Sequence, residues 1–435
     1  MRTMKQVAGL ALTLILLVPV MPTANGEAAA AAKTSYTGHY GDNASDKTAV
    51  LKPKWQAQMD NADGGSSNIA MADGKVYYSF KEKIIAADVT TGKARWTYNS
   101  YHSTPLLAGG GNLFFVNPQG YLIKLNGKTG AVSWKTKAAD ASDYVSNSLR
   151  YDNSILYIFD KGISLTAYDE STGKRKWAAK LKDDGGWGEI QGIYNGVVVI
   201  NGSVSGAITT VPYFGFDAET GRQLWKLDGI HSDVLDEQGG YLYLRNNWPV
   251  LDNGYAAVID KVDTKTGKVV QTLSFIPEED VAGYNATQVV IEGNSIYIEQ
   301  QVGRNRVSVF SLDQEPENQK PKVYTGYGKW VAGPYLGQLY FVKDLKLIRL
   351  KEGGYGVAVN GANNPVSQLD LIGQGAFIGL TDGQFILADA ATGKAAGKLQ
   401  TGSRQYGATK VENGMAIIQA ENRLLAVALP SALAK

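Results

Sequence analysis

Three histidines, His39, His102 and His231, are the only imidazoles in 435 residues, and there is no cysteine. An imidazole that binds metal or moves protons needs a second ligand or an orienting carboxylate at a short, defined spacing. None of the three has such a neighbour along the chain, so all three read as surface or loop side chains. The absence of cysteine excludes disulfide frameworks, thiolate zinc sites, cysteine nucleophiles, thioether-linked haem and lipidation of an N-terminal cysteine. Gly127-Lys128-Thr129 has the end of a phosphate-binding loop, but Leu122 stands where the leading glycine is required. No G-x-S-x-G elbow is present. Six Asp or Asn residues recur in one local pattern and could be taken for calcium ligands. A hard cation, however, gathers six to eight oxygens at one point, and residues spaced evenly along a chain do not converge. Their chemistry is that of turns.

The elements around these residues explain the recurrence. The pattern is Asp or Asn, two residues, Thr, Gly: Asp88 with Gly92, Asn126 with Gly130, Asp169 with Gly173, Asp217 with Gly221, Asp263 with Gly267 and Asp389 with Gly393. Successive glycines are roughly 38–48 residues apart, and the last step is about three repeats long. Two degenerate copies fall in the gap, at Val307–Asp313 and Lys346–Leu350. In four copies a Trp follows the Gly by four positions: Trp96, Trp134, Trp177 and Trp225. Each Asp follows an alternating apolar run, and a second β-rich run precedes that one; these are read as half-buried antiparallel strands. Almost nothing reads as helix. The Asp side chain caps its own turn, the Gly supplies a positive φ, and the Trp leaves the outer strand for the joint with the next unit. A unit of four strands in about 42 residues cannot cover both of its faces alone, whereas a closed ring of such units can. The expectation is an all-β, single β-propeller of four-stranded antiparallel blades. It has eight or nine blades, the uncertain unit lying near 315–365, and the ring is closed by an outer strand at 53–56 that carries Trp55.

Asp-Ala-Glu-Thr-Gly-Arg-Gln-Leu-Trp at 217–225 and Tyr-Asp-Glu-Ser-Thr-Gly-Lys-Arg-Lys-Trp at 168–177 resemble the PQQ-type propeller repeat, and the resemblance runs over about 51–430. Quinoprotein dehydrogenases of that family use a vicinal cysteine pair beside the quinone, and a Glu, an Asn and a catalytic Asp around calcium or a lanthanide. This chain has no cysteine, and no such triplet can be matched. The resemblance therefore implies the non-enzymatic branch, without PQQ or calcium and with no catalytic residue. That branch includes the propeller lipoprotein of the bacterial outer-membrane assembly machinery. That protein is held by an N-terminal lipidated cysteine, which is also absent here.

At the N-terminus, Arg2 and Lys5 precede an apolar run from Val7 to Met21 that is interrupted by Pro19; Ala24-Asn25-Gly26 follows. This reads as a signal peptide over 1–26, cleaved after Gly26, with an uncleaved anchor as the alternative. Residues 27–50 read as a flexible spacer without a strand pattern, and 51–435 as the propeller. The formal charge of the whole chain is +2, which Arg2 and Lys5 supply. A near-neutral chain gives no reason to expect nucleic acid or an anionic membrane as partner. The expected protein is exported, secreted or envelope-associated, monomeric, without a membrane span after cleavage. Its expected role is as a scaffold or binding module for a protein or polysaccharide of the envelope. A quinone- and calcium-dependent dehydrogenase or a carbohydrate-binding protein is the alternative.

Departures from the repeat mark where binding would occur. Loops between blades and loops joining the second and third strands share one face of a propeller. There the chain inserts Lys182–Trp187, Asn201–Tyr213, Asn246–Asp252 and Gln301–Arg306. Trp187 and Trp248 lie outside the docking register among Asp183, Asp184, Asn246, Asn247 and Asp252, with Tyr213 closing the longest insert. Exposed aromatics among amides and carboxylates suit a sugar ring or a protein hot spot. Packing of each Trp back onto its own blade is the alternative. Trp330 falls in an inner strand and is expected to be buried.

Overall fold

The computed structural model describes residues 35–37, 51–60, 69–138, 149–160, 164–181, 188–248, 255–276, 286–302, 304–351, 353–359 and 364–434. The signal-peptide reading and nearly all of the spacer lie outside these residues, as do His39, Asp183, Asp184, Trp187 and Asp252.

The described strands form nine antiparallel sheets that make nine blades. In chain order, blades 1 to 9 begin at the inner strands Ala70–Ala72, Leu107–Gly109, Leu149–Asp152, Ile190–Tyr194, His231–Gln238, Gln288–Glu292, Lys329–Tyr335, Val366–Ile372 and Lys410–Glu412. Blade 9 takes its outer strand from the front of the chain: Trp55–Gln58 pairs with Arg423–Ala428, Trp55 opposite Ala426 and Gln58 opposite Arg423. The ring is closed as expected, with nine blades rather than eight. The weak unit is a full blade 7, 329–358, and the two degenerate copies supply the third strands of blades 6 and 7, Arg304–Ser311 and Lys346–Lys351. Among the described residues one 3-10 turn, Pro316–Asn318, breaks the β pattern.

The apolar core is divided into nine slabs, one in each joint between adjacent blades. A middle strand therefore has a neighbouring blade on both faces. Gly375–Leu380 and Met415–Ala420 are buried along their whole length. Alternation between half-buried and exposed residues survives on outer strands such as Trp55–Gln58 and the second half of Val132–Lys137, and the inner strand Gln288–Glu292 alternates half-buried and buried residues. Sandwiching of each sheet removes the solvent face that a period of two requires.

The repeated signature forms one joint device. Asp88 Oδ1 accepts from the Thr91 backbone N–H at 2.9 Å and from Thr91 Oγ1 at 2.9 Å, and the Gly92 N–H closes the turn onto the Asp88 carbonyl at 2.8 Å. Asp169, Asp217, Asp263 and Asp389 repeat the pattern, and Asn126 substitutes its amide oxygen. Arg95 beside Asp88 holds that carboxyl down to about 2. The hydroxyls of Ser171 and Thr172 hold Asp169 at about 2.

Each outer-strand Trp crosses to the turn of the next blade. The indole N–H groups of Trp55, Trp96, Trp134, Trp177 and Trp225 donate to the carbonyls of Val89, Gly127, Glu170, Ala218 and Thr264 at 2.9–3.1 Å. The acceptor is always the residue after the turn Asp or Asn. The ring covers the turn Gly so closely that a Cβ on Gly92, Gly130, Gly173, Gly221 or Gly267 would stand 2.4–2.6 Å from it. The glycine thus serves both its own turn and the neighbouring blade's Trp. Copy six has no such Trp, and Arg349 lies over Gly393 instead.

One expectation fails at the front of the chain. Ser35–Thr37, within the span read as a spacer without strands, is a strand that pairs with the inner strand of blade 8 and makes that sheet five-stranded. A three-residue pairing leaves no periodic pattern to find, and its stability comes from the edge it meets.

Candidate interaction face

Strand direction alternates within a blade, so the loops between blades and the loops joining second to third strands lie on one face. On that face the inserts of blades 4 and 5 are stitched to a common seam. In blade 4 the chain beyond Asn201 continues as a small hairpin: the Gly202 N–H donates to the Pro212 carbonyl at 2.9 Å, and Val204 and Thr210 pair through bonds of 2.9 and 3.0 Å. The hairpin carries Ile208, 58% exposed. Its return limb bonds the connection into blade 5, with the Val211 N–H on the Gly229 carbonyl at 2.8 Å. The insert of blade 5 reaches the same connection, with the Asn247 N–H on the Ile230 carbonyl at 2.7 Å.

Beneath the seam lies a buried acid–imidazole pair. Asp260 Oδ2 accepts from His231 Nε2 at 3.0 Å and from Asn246 Nδ2 at 2.8 Å, and Oδ1 accepts from Thr272 Oγ1 at 2.6 Å. His231 is 1% exposed, and the Tyr213 ring meets it edge-on at 5.8 Å between centroids. Burial pushes the Asp260 carboxyl up, but the bonds from His231, Thr272 and Asn246 outweigh it and hold the group below the usual carboxylate range. Asn246 completes the path to the surface: its Oδ1 accepts from the Trp248 backbone N–H at 3.1 Å. Trp248 is 40% exposed. Ile276, at the end of blade 5's outer strand, is 63% exposed on the same face. A surface aromatic and two β-branched side chains are therefore carried on a platform anchored by a saturated buried carboxylate.

The platform continues into blade 6. Glu299 is 1% exposed and accepts from Thr287 Oγ1 at 2.8 Å, the Trp330 N–H at 2.9 Å and Asn305 Nδ2 at 3.3 Å, which ties blade 6 to blade 7. Burial raises its carboxyl above the usual range. Trp330 is fully buried, as expected.

Of the residues expected to bind, Trp248 is exposed, Asn247 is half-buried on the seam, and Asn246 positions Trp248 from below. Tyr213 is corrected: it is fully buried in the joint between blades 4 and 5 and supports His231. The reading of His231 as a loop side chain is likewise corrected, because its ring points into that joint. His102 is half-buried, with Nδ1 at 2.7 Å from the Thr104 carbonyl and Nε2 at 3.3 Å from Ser79 Oγ, and burial pushes its pKa down. The segment 301–306 is not an insert but the far end of a regular hairpin, with Gln301 opposite Asn305 and Val302 opposite Arg304. Sequence reasoning missed Asp260 and Glu299. A carboxylate inside an otherwise apolar strand, as in Ala257–Asp263, was the available signal, since it needs a buried donor. Among the described residues, no group of three or more His, Asp or Glu side chains is placed to hold a metal ion, and no helix is long and apolar enough to cross a membrane.

The family model described as "Outer membrane protein assembly factor BamB" matches residues 49–273 and 145–396. Tetrathionate hydrolase of Acidithiobacillus ferrooxidans is 25% identical over 226 residues, which are 49% of this chain and 45% of that protein. An uncharacterized protein of Rickettsia conorii is 24% identical over 153 residues, 31% of this chain and 36% of its own. The matches thus span less than half the length of these curated relatives. Among solved structures, BamB of Moraxella catarrhalis superposes with a TM-score of 0.48 at 13% identity, covering 87% of this chain and 100% of that one. The quinohemoprotein alcohol dehydrogenase of Comamonas testosteroni gives 0.49 at 14%, covering 87% and 76%.

Proposed function

The chain belongs to the PQQ-type propeller family whose model is described as outer membrane protein assembly factor BamB, and on that premise we propose that it is a non-catalytic scaffold of the cell envelope that binds a partner protein through the loop face of blades 4 to 6. One observation carries the reading: Ile208 and Trp248 are exposed on inserts that backbone bonds fix to one seam, and Ile276 is exposed beside them at the end of blade 5's outer strand. Exposed apolar side chains held rigidly lose little entropy on docking, which is how a few anchors dominate an interface. The buried acids beneath are saturated by donors, so they stabilise the face and offer no free base.

The test compares purified protein with the Ile208→Ser, Trp248→Ala double variant in pull-downs from the native envelope fraction. Retained proteins that are lost with the double variant, at unchanged melting temperature, support the reading. Equal retention by both proteins refutes it. Added quinone with calcium is expected to give no new visible absorbance; appearance of a saturable band supports the dehydrogenase alternative.

A further inference from the structure

An inner propeller strand presents one edge to the central channel, where its N–H and C=O groups have no strand partner. Among the described residues one inner edge is occupied, that of blade 8, and the occupant is Ser35–Thr37 of the same chain. Ser35, Tyr36 and Thr37 lie opposite Asp370, Leu369 and Gln368, three of the seven residues of Val366–Ile372. Val366 and Ser367 on one side, and Leu371 and Ile372 on the other, are not paired by this segment.

The contact is chemically specific. Asp370 is 0% exposed in a strand otherwise rich in Val, Leu and Ile. Its Oδ2 accepts from the Thr409 N–H at 2.8 Å, and its Oδ1 accepts from Gln368 Nε2 at 2.7 Å and from Ser35 Oγ at 2.9 Å. Gln368 Nε2 also lies 2.9 Å from Ser35 Oγ. A buried carboxylate needs every donor it can gather. Two of these donors belong to the ring, and the third comes from outside it.

We propose that the channel edge of Val366–Ile372 is a peptide-binding site. An extended segment of a partner protein, with a hydroxyl side chain opposite Asp370, adds to it as a strand, and Ser35–Thr37 is the internal segment that it displaces. Strand addition draws affinity from backbone bonds and specificity from alternate side chains; here the specificity element is the Asp370–Gln368 pair. A segment of more than three residues pairs further along the edge than Ser35–Thr37 does. The internal strand, held at high effective concentration by its own chain, sets the threshold that a partner must exceed. This inference rests on the protein-binding reading above but uses a different surface.

The chain has no cysteine, so Thr37→Cys introduces a unique thiol in the full-length protein and leaves the Ser35 hydroxyl on Asp370 in place. Its alkylation is expected to be at least about tenfold slower than in the unfolded chain. Millimolar synthetic peptide of the sequence 33–39 should accelerate it saturably, by about tenfold, as the internal strand is displaced. The same peptide with Pro in place of Tyr36 and Thr37 should have no effect, because Pro removes the ladder N–H groups. An unprotected thiol without peptide, no acceleration by the peptide, or equal acceleration by both peptides would each overturn the proposal. An acceleration that persists in the Ile208→Ser, Trp248→Ala background separates this edge from the loop face.

Discussion

Gly267→Ala tests the reasoning about blade joints most directly, because its cost divides into two parts that controls can separate. Gly267 has φ +66°, and a Cβ there would stand 2.5 Å from Cγ of Trp225. Holding Ala in the left-handed region costs about 1–2 kcal/mol. The clash then forces the indole away from its seat. Crowding a packed joint costs about 1–3 kcal/mol, and loss of the 2.9 Å bond from Trp225 Nε1 to the Thr264 carbonyl costs about 1 kcal/mol more. The total is about 3–6 kcal/mol. Gly414 is the control: its φ is +69° and nothing lies within 4 Å of an added Cβ. Gly414→Ala should therefore cost only the backbone part, about 1–2 kcal/mol. Urea unfolding followed by tryptophan fluorescence and circular dichroism measures both. In a Trp225→Ala background Gly267→Ala should fall to the Gly414→Ala value, leaving a coupling energy of about 2 kcal/mol or more. Equal costs at the two glycines in the wild type, or an unchanged cost of Gly267→Ala without Trp225, would refute the claim that the turn glycine exists for the neighbouring blade's Trp.

Trp177→Phe keeps most of the ring volume but removes the 3.1 Å bond to the Ala218 carbonyl, so unfolding should show a loss of about 1–2 kcal/mol, against about 3–5 for Trp177→Ala. His231→Ala leaves Asp260 buried without its imidazole and should destabilise by about 3–5 kcal/mol, whereas Asn246→Ala should chiefly free Trp248, read as faster fluorescence depolarisation. Asp88 and Asp169 have folded pKa values lowered to about 2. Below an unfolded value near about 3.9 the unfolded chain binds more protons, so their contribution is full above that pH and is lost as the pH falls toward 2. Asp169→Asn should flatten that acid limb of a stability–pH curve, as the amide at Asn126 already does in its own repeat. Glu299 has the opposite sign: its folded pKa is raised, so stability falls as the pH climbs from the unfolded value through the folded one. Glu299→Gln should remove that decline, and a decline of unchanged size would refute the assignment.

The repeat was legible because it is local. Asp88, Thr91 and Gly92 make a turn from five consecutive residues, and such a turn constrains composition wherever it recurs. The Trp four residues later marks the outer strand for the same reason. Ring closure by Trp55 was legible because an outer strand without inner strands before it can only complete a blade begun elsewhere. The inserts of blades 4 and 5 stood out as interruptions of that period. His231 was misread because its partner Asp260 is 29 residues away on a different strand of the blade, and no local pattern joins them. Tyr213 was misread because the end of an insert and the start of a buried strand look alike until the register is known; pairing opposite Leu227 places it inside the joint.

By itself, then, the order of residues determined the blade, its turn, its docking Trp and the closure of the ring, since each depends on groups within a few positions of one another. Only the tertiary structure decided that there are nine blades and that middle strands are buried on both faces. It alone showed that five of the six turn glycines, all but Gly393, answer to the preceding blade's Trp. It also put Ser35 on Asp370, a contact between residues 335 positions apart. Such contacts arise because closing a ring brings distant strands edge to edge, and a short chain segment carries no pattern that says which edge it will meet.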